Sequence, residues 1–428
     1  MFNYLAHTDE IRQEMLKEIN LNSVDDLFKH IEPRMPQLNL SDGISEMEAA
    51  KKLAEMAGKN CNLNMHISFL GGGVYNRYVP ASIQAIIGRA EFYTAYTPYQ
   101  PEVSQGTLQA IFDYQTLICN LTGMDVSNAS VYDGATACAE AVLMASRITK
   151  KDEVLVSNAL NPQYMEVVKT YCYGANIKIN VSDLQGDINF DNYACILIQN
   201  PNYFGCIENI TNNSSAKLIV CVDPVSLAIL RSPAEYGADI VVGDFQPLGL
   251  GMNFGGPNGG FIACKEQYLR QLPGRIVGFT KDKNGKEAFT LTLQAREQHI
   301  RREKATSNIC TNTALTALAA TVYLSVVGPQ GLKEVANISI QRAHYMADKL
   351  RKIPGLSIAY DTFLYEFVLK VDYISPEDFI KELINKGIFI GINTKNGILV
   401  CVTEQNSVED IDKAVEAAKE VCAQLSVL

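Results

Sequence analysis

The sequence lacks the cysteine and histidine patterns that mark a metal site or a disulfide framework. Its 11 cysteines never form a C-x-x-C pair and lie mostly within apolar runs, and its five histidines form no H-x-H or H-E-x-x-H cluster. An odd number of cysteines without regular spacing is not typical of a secreted, disulfide-stabilised protein. We therefore expect reduced thiols in the core and no metal site.

The sequence also lacks an excess of positive charge. It has 37 Lys and Arg residues against 47 Asp and Glu residues, a net charge of −10, and the basic residues are scattered. A nucleic-acid partner is therefore not expected, since a phosphate backbone is bound by clustered positive charge. With 428 residues, of which 47% are hydrophobic and 20% charged, the chain is predicted to be globular, with two domains or one large one.

No segment has the pattern of a targeting signal or a membrane span. Residues 1–20 carry Asp9, Glu10 and Glu14 and have no apolar core, which argues against a signal or transit peptide. Residues 305–331 are uncharged, but only 314–327 are dominantly apolar, which is shorter than the ~20 residues that span a bilayer. We expect a buried helix there, and a cytoplasmic protein that does not contact a membrane.

From about residue 130, short apolar runs alternate with segments of helix length. Runs that are apolar throughout predict strands buried on both faces, hence a largely parallel sheet with crossover helices, which is an α/β fold. The runs predicted to be strands are 129–132, 154–157, 177–180, 195–199, 218–222, 240–243 and 260–264.

Three regions are predicted along the chain. Residues 1–90 are expected to form helices and loops, and Ser45 with Glu48 fits a capping box at one helix start. Residues 91–330 are expected to form the large α/β domain. After the Gly-Pro-Gln-Gly break at 328–331, residues 331–428 are expected to form a small α+β domain that begins with a long helix over 332–352.

Polar residues that follow the predicted strands are the candidates for a site, because ligands of doubly wound sheets bind beyond the carboxyl ends of the strands. Thr136 ends the turn 133–136 before a helix, where free N–H groups suit a phosphate. A plain N-cap explains that turn as well. Asp223 follows the run 218–222, where pyridoxal phosphate enzymes place an Asp beside the pyridinium nitrogen. An ordinary Asp-Pro loop start is the alternative.

The Gly-rich segment 243–260 lacks the residue that this chemistry requires. In pyridoxal phosphate enzymes a lysine in this loop forms a Schiff base with the cofactor. No lysine occurs from Pro224 to Cys264. Lys265 follows a predicted strand, so we expect it at the wrong end of the sheet to reach the crevice.

Segments 92–106, 128–136, 254–257 and 296–312 are similar to a known family. Together with the rest of the chain, they resemble the first (alpha) subunit of split glycine decarboxylase, the P-protein of the glycine cleavage system. The resemblance implies the architecture of fold type I pyridoxal phosphate enzymes, with a large domain that has a mainly parallel sheet and a small C-terminal α+β domain.

The resemblance also implies a function. In that family the lysine is carried by a separate beta subunit in many prokaryotes, and Gln246 and Pro247 fall where the beta subunit has its His-Lys pair. This chain would thus be the lysine-free subunit of glycine dehydrogenase (decarboxylating), which decarboxylates glycine and passes the aminomethyl group to the lipoyl group of the H-protein. The implied partners are the beta subunit, the H-protein and glycine. Pyridoxal phosphate would be held by the beta subunit, and Thr136, Asp223, Gln246 and Pro247 would form a degenerate cofactor site.

The segment 96–100 and the Gly-rich loop 71–75 are candidates for a contribution to the partner's site. Fold type I dimers build each active site from both partners, so Tyr96, Tyr99 and Gln100 would line the partner's catalytic pocket. Simple packing is the alternative for these tyrosines and for the Gly-rich loop 71–75. Four arginines could bind carboxylates or phosphates: Arg77, Arg296, Arg301 and Arg302. For the last three of these, surface salt bridges are the alternative.

Two other functions remain open. A self-sufficient pyridoxal phosphate enzyme, such as an aminotransferase or a sulfur-carbon lyase, would fit the fold and Asp223 but would need the missing lysine. A scaffold or binding protein without catalysis would fit the missing lysine, but it would not explain Asp223 and the Gly-rich loop.

Overall fold

The computed structural model describes residues 7–31, 39–63, 65–185, 188–210, 213–372 and 374–425. The chain forms two compact units, Met1–Cys61 and Asn62–Leu428. The first unit contains helices α1 (Asp9–Glu18) and α2 (Glu46–Ala57). The capping box predicted at Ser45 and Glu48 is confirmed, because each side chain accepts a hydrogen bond from the other residue's backbone N–H.

The second unit contains the sheets and the remaining helices. Its helices are α3 (Ala81–Ile87), α4 (Ala90–Tyr93), α5 (Gln105–Thr122), α6 (Gly134–Thr149), α7 (Pro162–Gly174), α8 (Gln298–Arg301), α9 (Ala314–Leu350), α10 (Pro376–Asn385) and α11 (Val408–Leu425). Its strands are β1 (Ile67–Ser68), β2 (Val126–Ser127), β3 (Glu153–Ser157), β4 (Lys178–Ser182), β5 (Cys195–Gln199), β6 (Lys217–Val222), β7 (Ile240–Asp244), β8 (Gly260–Cys264), β9 (Ile276–Lys281), β10 (Glu287–Thr292), β11 (Leu356–Ile358), β12 (Glu366–Val371), β13 (Ile388–Phe389), β14 (Ile392–Thr394) and β15 (Gly397–Cys401).

A seven-stranded sheet in the order β2-β8-β7-β6-β5-β3-β4 forms the centre of this unit. The strands from β4 to β7 are parallel to their neighbours, as the apolar runs predict, whereas β8 is antiparallel to β7. Alternate side chains of β5, β6 and β7 pack on α5 and α9 on one face and on α6 and α7 on the other. The α/β fold is therefore confirmed.

The prediction of a strand over residues 129–132 is wrong. Only β2 and a single bridge between Val131 and Gly260 pair with the sheet here. Ser130 has a φ of 109°, which is not compatible with a regular strand. The side chain of Asn128 accepts hydrogen bonds from the N–H groups of Ser130 and Ile262, so it replaces part of the ladder.

A four-stranded antiparallel sheet in the order β11-β12-β15-β14 forms from the C-terminal part of the chain. The second half of α9, with α10 and α11, packs on it. The helix predicted over 332–352 is this second half, which continues from the first across a break at Gly328. Both predicted domain boundaries, near residues 90 and 330, lie inside the second compact unit.

Helix α9 is long and apolar enough to cross a membrane. Its first half instead contributes Ala317 and Tyr323 to the core of the seven-stranded sheet, and its second half contributes Met346 and Leu350 to the core of the four-stranded sheet. The helix therefore joins the two cores of one compact unit, as the buried helix predicted near residue 314 required.

Candidate functional site

A small crevice lies at the carboxyl edge of β6 and β7, where the fold places ligands. Asp223, which follows β6, lines it together with Asp244 at the end of β7 and Pro247 beyond it. Tyr75 and Asn161 complete the wall. The cavity measures about 30 Å³, which is room for one or two water molecules.

The first turn of α6 carries Thr136, and two of its N–H groups already have side-chain partners. The Gly134 N–H donates to Oδ2 of Asp244 at 2.9 Å, and the Thr136 N–H donates to Oδ1 of Asp133 at 2.7 Å. Burial raises the pKa of Asp244 to about 7, against the lowering effect of the N–H groups of Gly134 and Gln246. A carboxyl group thus takes the position at which a helix N-terminus would bind phosphate.

Asp223 is also engaged within the chain. Its Oδ2 accepts a hydrogen bond from the Tyr365 hydroxyl, and its Oδ1 accepts one from the Val225 N–H at 2.9 Å. Tyr365 immediately precedes β12, so this contact joins the seven-stranded sheet to the four-stranded sheet. Both carboxylate oxygens of Asp223 therefore have partners within the chain, one of them a tyrosine hydroxyl.

Gln246 bridges the sheet to the Gly-rich loop 71–75. The side chain is fully buried. Its Oε1 accepts from the Tyr75 N–H at 2.9 Å, and its Nε2 donates to the carbonyl oxygens of Tyr75 and Leu250, both at 3.0 Å. Every hydrogen-bonding position that the amide uses here leads to backbone, so Gln246 is a structural cross-link.

The loop 71–75 is fixed from the other side by Glu366 of β12. One carboxylate oxygen of Glu366 accepts from the Gly72 N–H at 2.7 Å, and the other accepts from the Tyr75 hydroxyl at 3.0 Å. Burial, with a smaller contribution from the charge of Asp223, raises the pKa of Glu366 to about 7, against the lowering effect of the Gly72 N–H. The loop therefore fills the crevice and bonds to both sheets.

Sequence reasoning missed Asp244, Tyr75 and Glu366 as residues of this crevice. Asp244 directly follows the predicted strand 240–243, so the rule that singled out Asp223 applies to it as well. Glu366 is an acidic residue directly before the apolar run 367–369 of β12, which is a signal for a buried, partnered group.

Two of the arginines singled out in the sequence serve internal contacts. Arg77 is only 3% exposed and donates to Oε2 of Glu404 at 2.7 Å, and its guanidinium lies 4.9 Å from the centre of the Tyr365 ring. Arg296 donates to backbone carbonyls, among them that of Gly274 at 2.9 Å. The surface salt bridge considered for Arg296 is therefore not its main contact.

Pyridoxal phosphate does not fit these residues. Two of the N–H groups for a phosphate and the carboxylate for a pyridinium nitrogen are already bonded within the chain, to Asp244, Asp133 and Tyr365. Lys265 donates to Oδ1 of Asp239 at 2.8 Å, and Asp239 precedes β7 at the amino edge of the sheet. Lys265 thus lies at the opposite end of β7 from the crevice, where the sequence placed it.

The structure places Tyr96, Tyr99 and Gln100 on the surface, away from the contacts that close the crevice. Tyr96 is 77% exposed and Tyr99 is 47% exposed. The Tyr99 hydroxyl accepts a hydrogen bond from Nη2 of Arg275 at 3.1 Å, and the Tyr99 ring lies edge-on to the ring of His299. The candidate residues therefore form two groups, one in the crevice and one on the surface.

Within the described residues, no group of three or more His, Cys, Asp or Glu side chains has an arrangement that could hold a metal ion. All 11 cysteines are free thiols. Burial raises the pKa of several of them, for example that of Cys172 to about 11.

The chain was compared with known proteins. The family model for the glycine cleavage system P-protein matches residues 2–417. A probable glycine dehydrogenase (decarboxylating) subunit 1 from Desulforamulus reducens is 48% identical, with 96% of this chain and 97% of that protein covered. Its counterpart from Geobacillus thermodenitrificans is 46% identical, with 97% and 98% covered.

Solved structures that are similar to this chain include one from the same family. A crystal structure of glycine decarboxylase (P-protein) of the glycine cleavage system, in inhibitor-bound form, has a TM-score of 0.88 and 41% identity over 98% of this chain and 100% of that one. A glutamate decarboxylase from Lactobacillus brevis, at 12% identity, has a TM-score of 0.66 over 92% and 96% of the two chains and shows the fold alone. The fold is that of fold type I pyridoxal phosphate enzymes, and the chain belongs to the glycine cleavage system P-protein family.

Proposed function

We propose that this chain is the lysine-free subunit of a split glycine dehydrogenase (decarboxylating), and that a separate beta subunit holds the pyridoxal phosphate. The complex would decarboxylate glycine and pass the aminomethyl group to the lipoyl group of the H-protein. The relatives' designation as subunit 1 supports a partner subunit. The single observation that carries the assignment of the cofactor to the partner is the crevice of this chain, which its own side chains close.

We expect this complex in the cytoplasm. The free thiols and the packing of α9 within the fold support that expectation.

A reconstitution experiment tests the division of roles. This chain, the beta subunit, and both together are assayed for glycine–bicarbonate exchange with lipoylated H-protein. We expect activity only with both chains. Borohydride reduction after incubation with pyridoxal phosphate is expected to label a lysine of the beta subunit and none in the large domain of this chain. Stoichiometric labelling of this chain, or activity of this chain alone, would support a self-sufficient enzyme instead.

We further propose that Tyr96, Tyr99 and Gln100 contribute to the catalytic pocket of the partner. Their exposure and their position on a segment with Pro98 and Pro101 support this, because rigid aromatic side chains with a polar tip suit a pocket that must exclude water. Such a loop also has reduced backbone freedom to lose on assembly.

Single substitutions separate this role from simple packing. Tyr96→Phe and Tyr99→Phe remove only a hydroxyl, so a site role predicts at least about a tenfold loss of exchange rate in a complex that still assembles. Tyr173→Phe is the matched control, since Tyr173 is 87% exposed on α7. Unchanged kinetics in both variants and in Gln100→Ala would leave this subunit a structural partner only.

A further inference from the structure

Arg275 lies directly beneath the segment that carries Tyr99. It precedes β9 and is only 4% exposed. Its Nη2 donates to the Tyr99 hydroxyl at 3.1 Å and to the carbonyl oxygen of Cys310 at 3.0 Å. One guanidinium nitrogen therefore ties two surface segments together from within the protein.

The other side of the guanidinium binds the segment 310–312 a second time. Nη1 donates to Oγ1 of Thr311 at 2.6 Å and to Oδ1 of Asn312 at 3.3 Å, and the carboxylate of Glu297 lies 3.8 Å from Nε. Both terminal nitrogens of Arg275 are therefore committed within the chain, whereas Nε is buried without a hydrogen bond among the described residues and has only the Glu297 carboxylate nearby. The guanidinium is not available to bind a carboxylate or a phosphate from outside.

The contact with Arg275 determines how the Tyr99 hydroxyl can act. Because a guanidinium can only donate hydrogen bonds, the hydroxyl oxygen is the acceptor and its own proton must point elsewhere. Within the described residues, that proton meets no acceptor. The guanidinium carbon also lies 5.4 Å from the centre of the Tyr99 ring, which limits rotation of the ring.

We infer that Arg275 is a positioning residue, which holds the Tyr99 hydroxyl as an outward hydrogen-bond donor to an oxyanion of the ligand, such as the substrate carboxylate, in the shared site. This inference rests on the proposed contribution of Tyr99 to the partner's pocket. It adds the direction of the hydrogen bond and the residue that imposes it. Loss of a hydrogen bond to a charged group corresponds to about a tenfold to hundredfold decrease in kcat/KM.

A double-mutant cycle in the assembled complex tests the inference. Arg275→Lys keeps the positive charge but cannot bond to Tyr99 and the 310–312 segment at once, because lysine lacks the planar fork. We expect Arg275→Lys and Tyr99→Phe each to lower kcat/KM for glycine about tenfold or more, and the double variant to lose little beyond either one. Arg231→Lys, which changes an exposed pair with Glu235, is the matched control and should leave kcat/KM unchanged.

The outcomes separate this inference from the function on which it rests. Full activity of Tyr99→Phe would refute the role of the Tyr99 hydroxyl and this inference with it, whereas the shared site itself is refuted only if Tyr96→Phe and Gln100→Ala are unchanged as well. Loss of rate in Tyr99→Phe with additive effects in the cycle, or full activity of Arg275→Lys, would refute the role of Arg275 and leave the shared site in place. An additive cycle would mean that the two residues act independently.

A milder variant is used if Arg275→Lys does not assemble. Thr311→Val removes the 2.6 Å contact on the far side of the guanidinium and keeps the side-chain shape. We expect it to lower kcat/KM less than Arg275→Lys and to have no further effect in the Tyr99→Phe background. An additive loss in that pair contradicts the inference as well.

Discussion

The crevice and the surface segment 96–100 both carry polar side chains, but these side chains differ in how they are bonded. In the crevice, Asp223, Asp244 and Gln246 are buried or half-buried and bonded to other parts of the chain. On the surface, Tyr96 is mostly exposed and Tyr99 is supported from below. The difference teaches that the polar groups of the crevice are used up in contacts within the chain, whereas Tyr96 and Tyr99 keep much of their surface in water.

The largest effect on the crevice is expected from Gly205→Ala. Gly205 has a φ of +82°, and a Cβ atom there would lie 1.9 Å from the carbonyl oxygen of Glu366. Because that neighbour is a backbone atom, either the loop that carries Gly205 or strand β12 must move. We therefore expect a loss of about 2–4 kcal/mol in the free energy of unfolding.

Urea unfolding of the isolated subunit measures this change. Gly237→Ala is the control, since Gly237 also has a positive φ, +92°, but a Cβ there meets nothing within 4 Å. It should cost about 1–2 kcal/mol for the backbone alone. Equal losses in the two variants would show that the close approach to β12 contributes nothing.

A somewhat smaller loss is expected from Gln246→Leu. This change leaves the Tyr75 N–H and the carbonyl oxygens of Tyr75 and Leu250 without their partner, which should cost about 1–3 kcal/mol in unfolding free energy. Gln330→Leu on the exposed side of α9 is the control and should change stability by less than about 0.5 kcal/mol. A Gln246→Leu variant as stable as the parent would show that water replaces the amide.

The crevice should also make stability depend on pH. The pKa values of Glu366 and Asp244 are raised to about 7 from ordinary values of 4.5 and 3.8. Each carboxyl group therefore binds its proton more tightly in the folded state. The resulting stabilisation is fully present below the unfolded pKa and is lost as the pH rises through about 7.

Glu366→Gln isolates one of these groups, because the amide is neutral at every pH. We expect the variant to gain stability relative to the parent between pH 5 and pH 8, by about 1–3 kcal/mol. Urea unfolding at pH 5, 6, 7 and 8 gives this difference, with the exposed Glu287→Gln as the control. A difference that does not change with pH would mean that Glu366 is ionised throughout this range.

The smallest effect on the isolated subunit is expected from the surface. Tyr96→Ala should change the unfolding free energy of the chain alone by less than about 0.5 kcal/mol, since most of the side chain is in water. Any larger effect should appear only in the complex, as weaker assembly or slower exchange. A clear destabilisation of the isolated subunit would make Tyr96 part of its core.

The sequence predicted the elements whose side chains are buried on both faces. Strands β3 and β5 to β8 appear as continuous apolar runs, and their places in the structure follow those runs closely. The hairpin of β9 and β10 was not predicted, because its residues are largely half-buried or exposed and make no such run. Local hydrophobic patterns thus predict the fully buried strands and miss the partly buried ones.

The site was predicted less completely, for a physical reason. Asp223 was found because strand ends identify the crevice, and Gln246 and Pro247 were found because of the resemblance to the beta subunit of the family. Their partners Tyr75, Tyr365 and Glu366 lie far away in the sequence, on a loop and on the other sheet. The relative position of the two sheets determines which groups close the crevice. Local sequence patterns do not predict that position.

The break in α9 at Gly328 affects how the two sheets approach each other. Gly328 has a φ of 63° and a ψ of 177°, a conformation that essentially only glycine adopts, and a Cβ there would meet no atom within 4 Å. The constraint is thus in the backbone and not in packing. Because the two halves of α9 belong to different cores, the dihedral angles at this residue help to set the direction of the small sheet relative to the large one, together with the contacts of the crevice. A side chain at 328 would therefore be sensed at the remote contact between Tyr365 and Asp223, with every residue of the crevice intact.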